Sequence, residues 1–244
     1  MDIRRETFSP KRNDKCFCGS GRRFKHCCGS ALSDRKAPHG IVIVEDFISP
    51  QRCQDLLTIM SAQSSERLKL MDPEKSTAEK VVRKYDDQRI TERVDMSDHR
   101  EILNELVASA ITGLIEPDPG THYDWFEEPQ VLRYQQGGYY AAHADGENFD
   151  PERHCWMRAQ DRDLSLLMYL DDDYEGGEIF FPNFDFRIRP RPGMLIYFPS
   201  DNRYLHTAQA VTSGTRHAIV SWLSATGVEK LRAPPEGAVL MASA

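Results

Sequence analysis

The stretch "HAD" places two metal-binding side chains, His143 and Asp145, two positions apart. On a β-strand, residues i and i+2 point to the same face, so both side chains can reach one metal ion. His206, which follows the strand-like run "GMLIYFPS", is a candidate third ligand. Two histidines and one carboxylate on one face of an octahedral ion leave positions open, which suits non-haem Fe(II) and O₂. The pattern predicts an iron centre, and the alternative is a polar pair on an exposed strand.

Ten residues after His206, the run "SGTRHAIVSW" contains Arg216. A buried arginine on a neighbouring strand would pair bidentately with a carboxylate. We therefore expect Arg216 to bind a dicarboxylate cosubstrate, while His217, on the opposite face of the strand, has no catalytic role.

A second constellation, "CFCGSGRRFKHCC", has the spacing C-x-C-x8-C-C and contains Cys16, Cys18, Cys27 and Cys28. Four thiolates on a tight loop can enclose one Zn²⁺ tetrahedrally, with His26 as a possible substitute ligand. The glycines between the two cysteine pairs permit the chain reversal that this requires. The segment resembles the SEC-C motif, which implies zinc held by these four cysteines. The alternative is a set of free thiols in a flexible arm.

Four segments are predicted before the candidate metal ligands. The run 40–47 is β-branched and reads as a strand, and a helix begins with Ser49 as N-cap and Pro50 at its first position. Residues 63–88 are charged and poorly periodic, which indicates a loop or irregular helix, and 97–117 form a second helix. The apolar face of this second helix comprises Ile102, Leu103, Leu106, Val107, Ala110 and Leu114.

After about residue 120, some eight short strand-like runs alternate with Gly/Pro turns, which favours a sandwich or jelly roll. The predicted fold is mainly β with flanking helices (α+β). Its units are a zinc module at 1–30, a linker at 31–39, a catalytic domain at 40–226 with its strand-rich core at about 128–225, and a frayed tail at 227–244.

Charge is unevenly distributed along the 244 residues. Residues 1–36 hold ten Lys/Arg and four Asp/Glu, whereas the rest holds 21 and 34. The basic segment is either a solvated arm or a module that binds a protein, RNA or the ribosome. The acidic remainder would suit a basic protein substrate. No apolar segment indicates secretion or membrane insertion, so a cytoplasmic location is expected.

The pattern "GGYYAAHAD…RDLSLLMYL…GGEIFFP…RPRPGMLIYFPS…H…GTRHAIVSW" resembles the 2-oxoglutarate and Fe(II)-dependent oxygenases, in particular the prolyl 4-hydroxylase catalytic domain. The resemblance covers 128–225 strongly and 40–127 loosely. It implies a double-stranded β-helix (jelly-roll) core, Fe(II), 2-oxoglutarate as cosubstrate and ascorbate as a reductant.

The resemblance also implies residue roles. His143, Asp145 and His206 correspond to iron ligands, Arg216 and Tyr169 to cosubstrate-binding residues, Tyr134 to a residue near cosubstrate and substrate, and Arg162 and Trp222 to substrate-binding residues. Asp171 stands where an Asn is common, and Ser165 where a Thr is usual. The segment between Asp145 and Arg162 is long and charged, and it is predicted to be a polar loop that contains Cys155.

The function that follows is hydroxylation of a substrate C–H bond, with succinate and CO₂ released. A prolyl residue of a protein is the favoured substrate. Two alternatives remain open: an oxygenase acting on a free amino acid or other small molecule, and a zinc-module adaptor whose oxygenase-like domain is inactive.

Overall fold

The computed structural model describes residues 4–5, 12–16, 22–26, 37–71, 82–116 and 122–241. All strand pairs in these ranges are antiparallel. Cys18, Cys27 and Cys28 of the predicted zinc module lie outside them, as does most of the predicted linker. Across the described ranges, no helix is long and apolar enough to cross a membrane.

The larger sheet runs through the centre of the fold. Its strand order is Val42–Val44, Leu195–Pro199, Leu164–Tyr169, Arg216–Ala225, Gln130–Tyr134, Glu92–Val94 and Ser65–Arg67, with Tyr123–Phe126 and Val239–Leu240 extending it beside the end of Arg216–Ala225. The smaller sheet faces it in the order Phe186–Ile188, Ile179–Phe181, His206–Ala208, Tyr139–His143 and Arg89–Ile90. Two opposed antiparallel sheets with helices outside them form the predicted double-stranded β-helix.

Side chains of the long strand Arg216–Ala225 alternate between two cores because successive residues point to opposite faces. Ile219 and Leu223 pack in the core beneath the helices. Ala218, Val220 and Trp222 pack in the core between the two sheets. Arg216 shares the parity of this second set, so the sheet directs its side chain inward.

Two helices cover the outer face of the larger sheet. The first, Pro50–Ser61, begins as predicted, with the Ser49 hydroxyl accepting a hydrogen bond from Arg52 N at 3.3 Å. The second predicted helix is three pieces in the structure, with bounds Ser97–His99 (3₁₀), Arg100–Ala110 (α) and Ile111–Ile115 (π). The wider π turn rotates the buried face. Ile111 and Ile115 are therefore buried, and Leu114, expected in the core, is 38% exposed.

Several segments predicted as irregular are strands. The region predicted as a loop or irregular helix, 63–88, contains the short strands Ser65–Arg67, Leu70–Met71 and Arg83–Lys84. The predicted tail contributes Val239–Leu240, which pairs with Tyr123–Phe126. Both predictions were wrong because strands of two or three residues are too short to show hydrophobic periodicity.

The charged segment after Asp145, predicted as a loop, is a β-hairpin. It consists of Glu147–Asp150 and Cys155–Arg158, and Cys155 is buried. The N-terminal strand Arg4–Arg5 pairs with the hairpin's outer edge. The N-terminal part of the chain is therefore joined to the larger domain by this pairing as well as by the linker. A two-residue strand, Glu175–Gly176, pairs with Val211–Ser213 elsewhere.

Candidate metal centre and cosubstrate pocket

The three predicted metal ligands converge at one point between the sheets. His143 ends the strand Tyr139–His143 and lies directly opposite His206 on the neighbouring strand. Asp145 lies two residues beyond the strand end, in the turn that leads to the hairpin, and not on the strand as predicted. One donor atom from each residue lies within 4.8 Å of the other two. The three side chains therefore lie together, as predicted, in a geometry able to hold a metal ion.

Backbone carbonyls fix the orientation of both imidazoles. His143 Nδ1 lies 2.8 Å from the Ala141 carbonyl oxygen, and His206 Nδ1 lies 3.1 Å from that of Tyr204. A carbonyl only accepts, so each Nδ1 carries the proton and each Nε2 keeps a lone pair. The Nε2 atoms of His143 and His206 point at Asp145, 3.5 and 3.6 Å from its carboxylate oxygens.

The surroundings of His206 and Asp145 favour the protonation states in which these two side chains bind metal. Burial, with a further contribution from the neighbouring His143, lowers the pKa of His206 to about 4, so its imidazole is neutral near pH 7. Burial alone would raise the pKa of Asp145. The two imidazoles and Arg162 outweigh burial and hold that pKa below its usual range. The carboxylate also accepts a hydrogen bond from Ser165 Oγ at 2.6 Å.

A buried arginine lies at the inner end of the same pocket. Arg216 starts its strand opposite Tyr134 and is 2% exposed. Its guanidinium carbon lies 4.0 Å from the Tyr134 ring centroid, and one of its terminal nitrogens donates to the Gly177 carbonyl. Arg216 Nε and the Tyr169 hydroxyl are both buried without a hydrogen-bond partner. Burial raises the pKa of Tyr169, so its hydroxyl remains a donor. Two unpaired donors at the closed end of a pocket suit a carboxylate.

The two predicted substrate-binding residues lie on the pocket wall and contact each other. The Arg162 guanidinium carbon lies 3.7 Å from the Trp222 ring centroid. Arg162 also donates to both carboxylate oxygens of Glu127, at 2.5 and 2.7 Å. Glu127 therefore fixes the arginine against the indole. Apolar side chains complete the wall: Leu132, Leu167, Ile179, Ala208, Ala218 and Val220.

Tyr140 and Arg89 also line the pocket and were not predicted from the sequence. The Tyr140 ring stacks on His143 with centroids 3.6 Å apart, although strict alternation would place residues three apart on opposite faces. The strand register shifts between these two residues, and the alternation rule fails there for this reason. Ser200 was missed as well, and Ser165 was noted only as standing where a Thr is usual. Their hydroxyls lie 2.7 Å apart beneath Asp145, and a serine gives no sequence signal for such a role.

His217, predicted to have no catalytic role, lies away from the pocket. His217 faces the other side of its strand, where its Nδ1 and backbone N contact the carboxylate of Asp171. Asp171, the residue found where Asn is common, is thus paired with His217. Neither Asp171 nor His217 lines the pocket.

The described part of the cysteine-rich segment contains a chain reversal. Residues 12–16 and 22–26 pair antiparallel: Cys16 N donates to Arg22 O at 2.7 Å and Phe24 N to Asp14 O at 2.8 Å. Cys16 is buried. The reversal predicted from the intervening glycines is therefore confirmed for this stretch, while the ligation of zinc is not tested by the described residues.

Comparisons with known proteins agree with this geometry. Residues 129–224 match the family model of the 2OG-Fe(II) oxygenase superfamily, and residues 12–30 match that of the SEC-C motif. Human prolyl 3-hydroxylase 2 is 38% identical over 91 residues, which are 34% of this chain and only 13% of that protein. A putative prolyl 4-hydroxylase of Acanthamoeba polyphaga mimivirus is 24% identical over 191 residues, 74% of this chain and 72% of that protein.

A solved structure supports the fold. It is a prolyl hydroxylase in complex with a hypoxia inducible factor oxygen degradation domain peptide fragment from Trichoplax adhaerens. It superimposes with a TM-score of 0.55 at 21% identity, covering 76% of this chain and 83% of that one. At this identity the similarity shows the double-stranded β-helix alone. In sequence, residues 129–224 are similar to the 2OG-Fe(II) oxygenase superfamily, and residues 12–30 are similar to the SEC-C motif.

Proposed function

We propose that the protein is a 2-oxoglutarate-dependent dioxygenase that hydroxylates a prolyl residue of a protein and releases succinate and CO₂. One observation carries the proposal: three metal-binding side chains and a buried cradle for a carboxylate lie in a single pocket. The prolyl substrate is supported by the names of the relatives, which are prolyl hydroxylases.

In this proposal His143, Asp145 and His206 hold Fe(II). The ion fits because both imidazoles present Nε2 lone pairs and the carboxylate is ionised. Bound with 2-oxoglutarate and O₂, Fe(II) supplies the oxidising power needed to hydroxylate an unactivated C–H bond. Ser165 fixes one carboxylate oxygen of Asp145 through the 2.6 Å hydrogen bond and so restricts how the carboxylate can turn.

The cosubstrate site in this proposal is the inner end of the pocket. Arg216 and the Tyr169 hydroxyl bind the carboxylate of 2-oxoglutarate that is distant from the metal, and Tyr134 covers the flat face of the guanidinium. Arg162 and Trp222 contact the substrate nearer the mouth, where Glu127 holds Arg162 in place. The apolar wall between these two ends excludes water from the reacting atoms.

Succinate release tests the activity directly. Purified protein supplied with Fe(II), 2-oxoglutarate and ascorbate should form succinate slowly alone and faster with its substrate. Comparing the host proteome with and without the protein by mass spectrometry should show gain of one oxygen atom on proline. No succinate under any of these conditions would contradict the enzyme and favour an inactive adaptor. Oxidation of free proline but of no protein would favour the small-molecule alternative.

We also propose that residues 1–30 form a zinc-bound recognition module for a macromolecular partner. The match to the SEC-C motif and the chain reversal next to Cys16 support zinc binding. The excess of Lys/Arg in residues 1–36 supports a partner with negative charge. Metal analysis of protein purified under reducing conditions tests the first part, with one tightly bound Zn²⁺ per chain expected.

A further inference from the structure

Three arginines line the pocket, and one of them lacks an oxygen partner. Arg216 donates to the Gly177 carbonyl, and Arg162 donates to both carboxylate oxygens of Glu127. Within the described ranges, no oxygen accepts a hydrogen bond from the Arg89 side chain, and its Nε is buried without a partner. The positive charge of Arg89 is therefore left for a group that enters the pocket.

The acidic residues closest to Arg89 in sequence are engaged elsewhere. The carboxylate of Asp86 accepts a hydrogen bond from Gln88 N at 2.8 Å. The carboxylate of Asp87 lies 4.0 Å from Arg67. No carboxylate in the described part of the chain forms an ion pair with Arg89, although the chain as a whole is acidic.

Contacts with Tyr140 hold the Arg89 side chain in place without a bound ligand. Arg89 pairs with Tyr140 in strand register, and its guanidinium carbon lies 4.5 Å from the Tyr140 ring centroid. The Tyr140 ring also stacks on the His143 ring, with centroids 3.6 Å apart. The aromatic ring occupies one flat face of the guanidinium, while the N–H edge stays available to an acceptor. Arg89, Tyr140 and His143 thus form a column that runs from the pocket wall to the metal site.

We infer that Arg89 binds a carboxylate of the substrate and so selects substrates that are negatively charged close to the oxidised carbon. A carboxylate matches the planar fork of arginine better than a lone carbonyl does, because both of its oxygens can accept. This inference rests on the proposed function and narrows its substrate class. Two stacking contacts, of 4.5 and 3.6 Å, separate the Arg89 guanidinium from the His143 ring. An extended peptide advances about 3.5 Å per residue, so the carboxylate would lie roughly one to three residues from the oxidised one.

Two sources can supply such a carboxylate: an acidic side chain in a protein, or the carboxylate of a free amino acid. The experiment therefore uses both. Fluorescently labelled proline-centred peptides would carry Asp, or Asn in its place, at each of the three positions on either side of the proline. L-proline and L-prolinamide form the second pair. Anisotropy and competition measure affinity at equilibrium, in the presence of a non-turnover divalent metal and 2-oxoglutarate, for the full-length protein.

The expected result is a position at which Asp binds about ten- to a hundredfold more tightly than Asn. This preference should disappear in Arg89→Gln and persist in part in Arg89→Lys, which keeps the charge but loses the planar fork. Arg89→Glu should reverse it in favour of a Lys peptide. The matched control is Arg93→Gln, which removes an exposed arginine paired with Glu66 and should leave the preference intact. The same pattern with L-proline over L-prolinamide, and not with peptides, would assign the carboxylate to a free amino acid.

An Asp-over-Asn preference that survives Arg89→Gln would overturn the inference. The inference would also be overturned if the wild type preferred neither the Asp peptide over the Asn peptide nor L-proline over L-prolinamide. The same holds if Arg89→Gln weakened only the binding of 2-oxoglutarate. Binding is measured without turnover, so its outcome is independent of succinate release. A protein that binds the acidic peptide through Arg89 but never forms succinate would contradict the proposed function and leave the carboxylate site standing.

Discussion

The guanidinium carbon of Arg216 lies 6.0 Å from the ring centroid of Tyr169, and each side chain carries a buried polar atom without a partner. Leaving such atoms unpaired typically costs about 1–3 kcal/mol each, so the pair stores a local cost that a ligand can relieve. The two side chains are thus already arranged to bind an anion before one enters the pocket. Substituting each residue in turn measures its own contribution to that binding.

Arg216→Leu should weaken 2-oxoglutarate binding far more than metal binding. Removing one partner of a buried charge pair costs about 2–5 kcal/mol, or roughly thirtyfold or more in affinity. The Michaelis constant for 2-oxoglutarate and the dissociation constant for the metal would be measured on the same preparation. Because Arg216 is deeply buried, the thermal midpoint must be recorded too, and an unchanged Michaelis constant would exclude the assigned role.

Tyr169→Phe should change stability and affinity in opposite directions. The hydroxyl has no partner in the protein, so the ligand-free variant should be equally stable or more stable, by up to about 1 kcal/mol. Binding of 2-oxoglutarate should weaken about tenfold, because a hydrogen bond to a charged group is lost. Denaturant unfolding and calorimetric titration give the two numbers. Equal losses of both would mean that the hydroxyl has a structural partner and does not bind the cosubstrate.

Asp145→Ala and His206→Ala should each abolish 2-oxoglutarate turnover with little loss of fold. Each substitution removes one of three ligands whose donor atoms converge within 4.8 Å. Succinate formation and bound iron are the measurements. The matched control is His122→Ala, an exposed histidine near Glu116 that should retain full activity. Near-normal succinate production by either ligand variant would show that the metal is held elsewhere.

The metal-free protein should lose stability as pH falls through the range set by His206. Its folded pKa of about 4 lies below the ordinary value of 6.5, so the unfolded chain takes up the proton first. Stability from this group is complete above about pH 6.5 and is lost between there and pH 4, with about 2 kcal/mol gone at pH 5. Urea unfolding of the wild type and of His206→Gln at pH 7 and pH 5 isolates the contribution of His206. Between pH 7 and pH 5, the free energy of unfolding should fall more for the wild type than for the variant. An equal pH effect on both proteins would show that burial does not hold His206 neutral.

A chain that begins at Ala37 should still bind iron and 2-oxoglutarate, because every pocket-lining residue follows that point. It should lack zinc and lose efficiency on a macromolecular substrate. The higher efficiency of the full-length protein on that substrate should decrease at high salt, because salt screens the charge of the basic N-terminal segment. Steady-state rates on the identified protein substrate would be compared at two ionic strengths. Equal efficiency of the two chains would remove the recognition role from the N-terminal module.

Strand alternation predicted the direction of the Arg216 and His217 side chains correctly, because their strand is regular. Arg216 faces the pocket and His217 faces away, as the two-residue period requires. The same rule failed at Tyr140, because a register irregularity separates it from His143. It also failed to find the hairpin 147–158, whose strands, ENFD and CWMR, do not alternate apolar and polar residues. Leu114 was misplaced because a π turn changes the helical period locally.

The pairing of Arg4–Arg5 with the hairpin edge has a topological consequence. The cysteine-rich segment is connected to the rest of the protein at both ends, by the Arg4–Arg5 pairing on one side and by the chain that continues at residue 37 on the other. Holding both ends restricts the conformations open to the segment in the folded protein and keeps the segment close to the hairpin. The hairpin begins two residues after Asp145, so a displacement of the segment would be transmitted through the hairpin to the backbone beside Asp145.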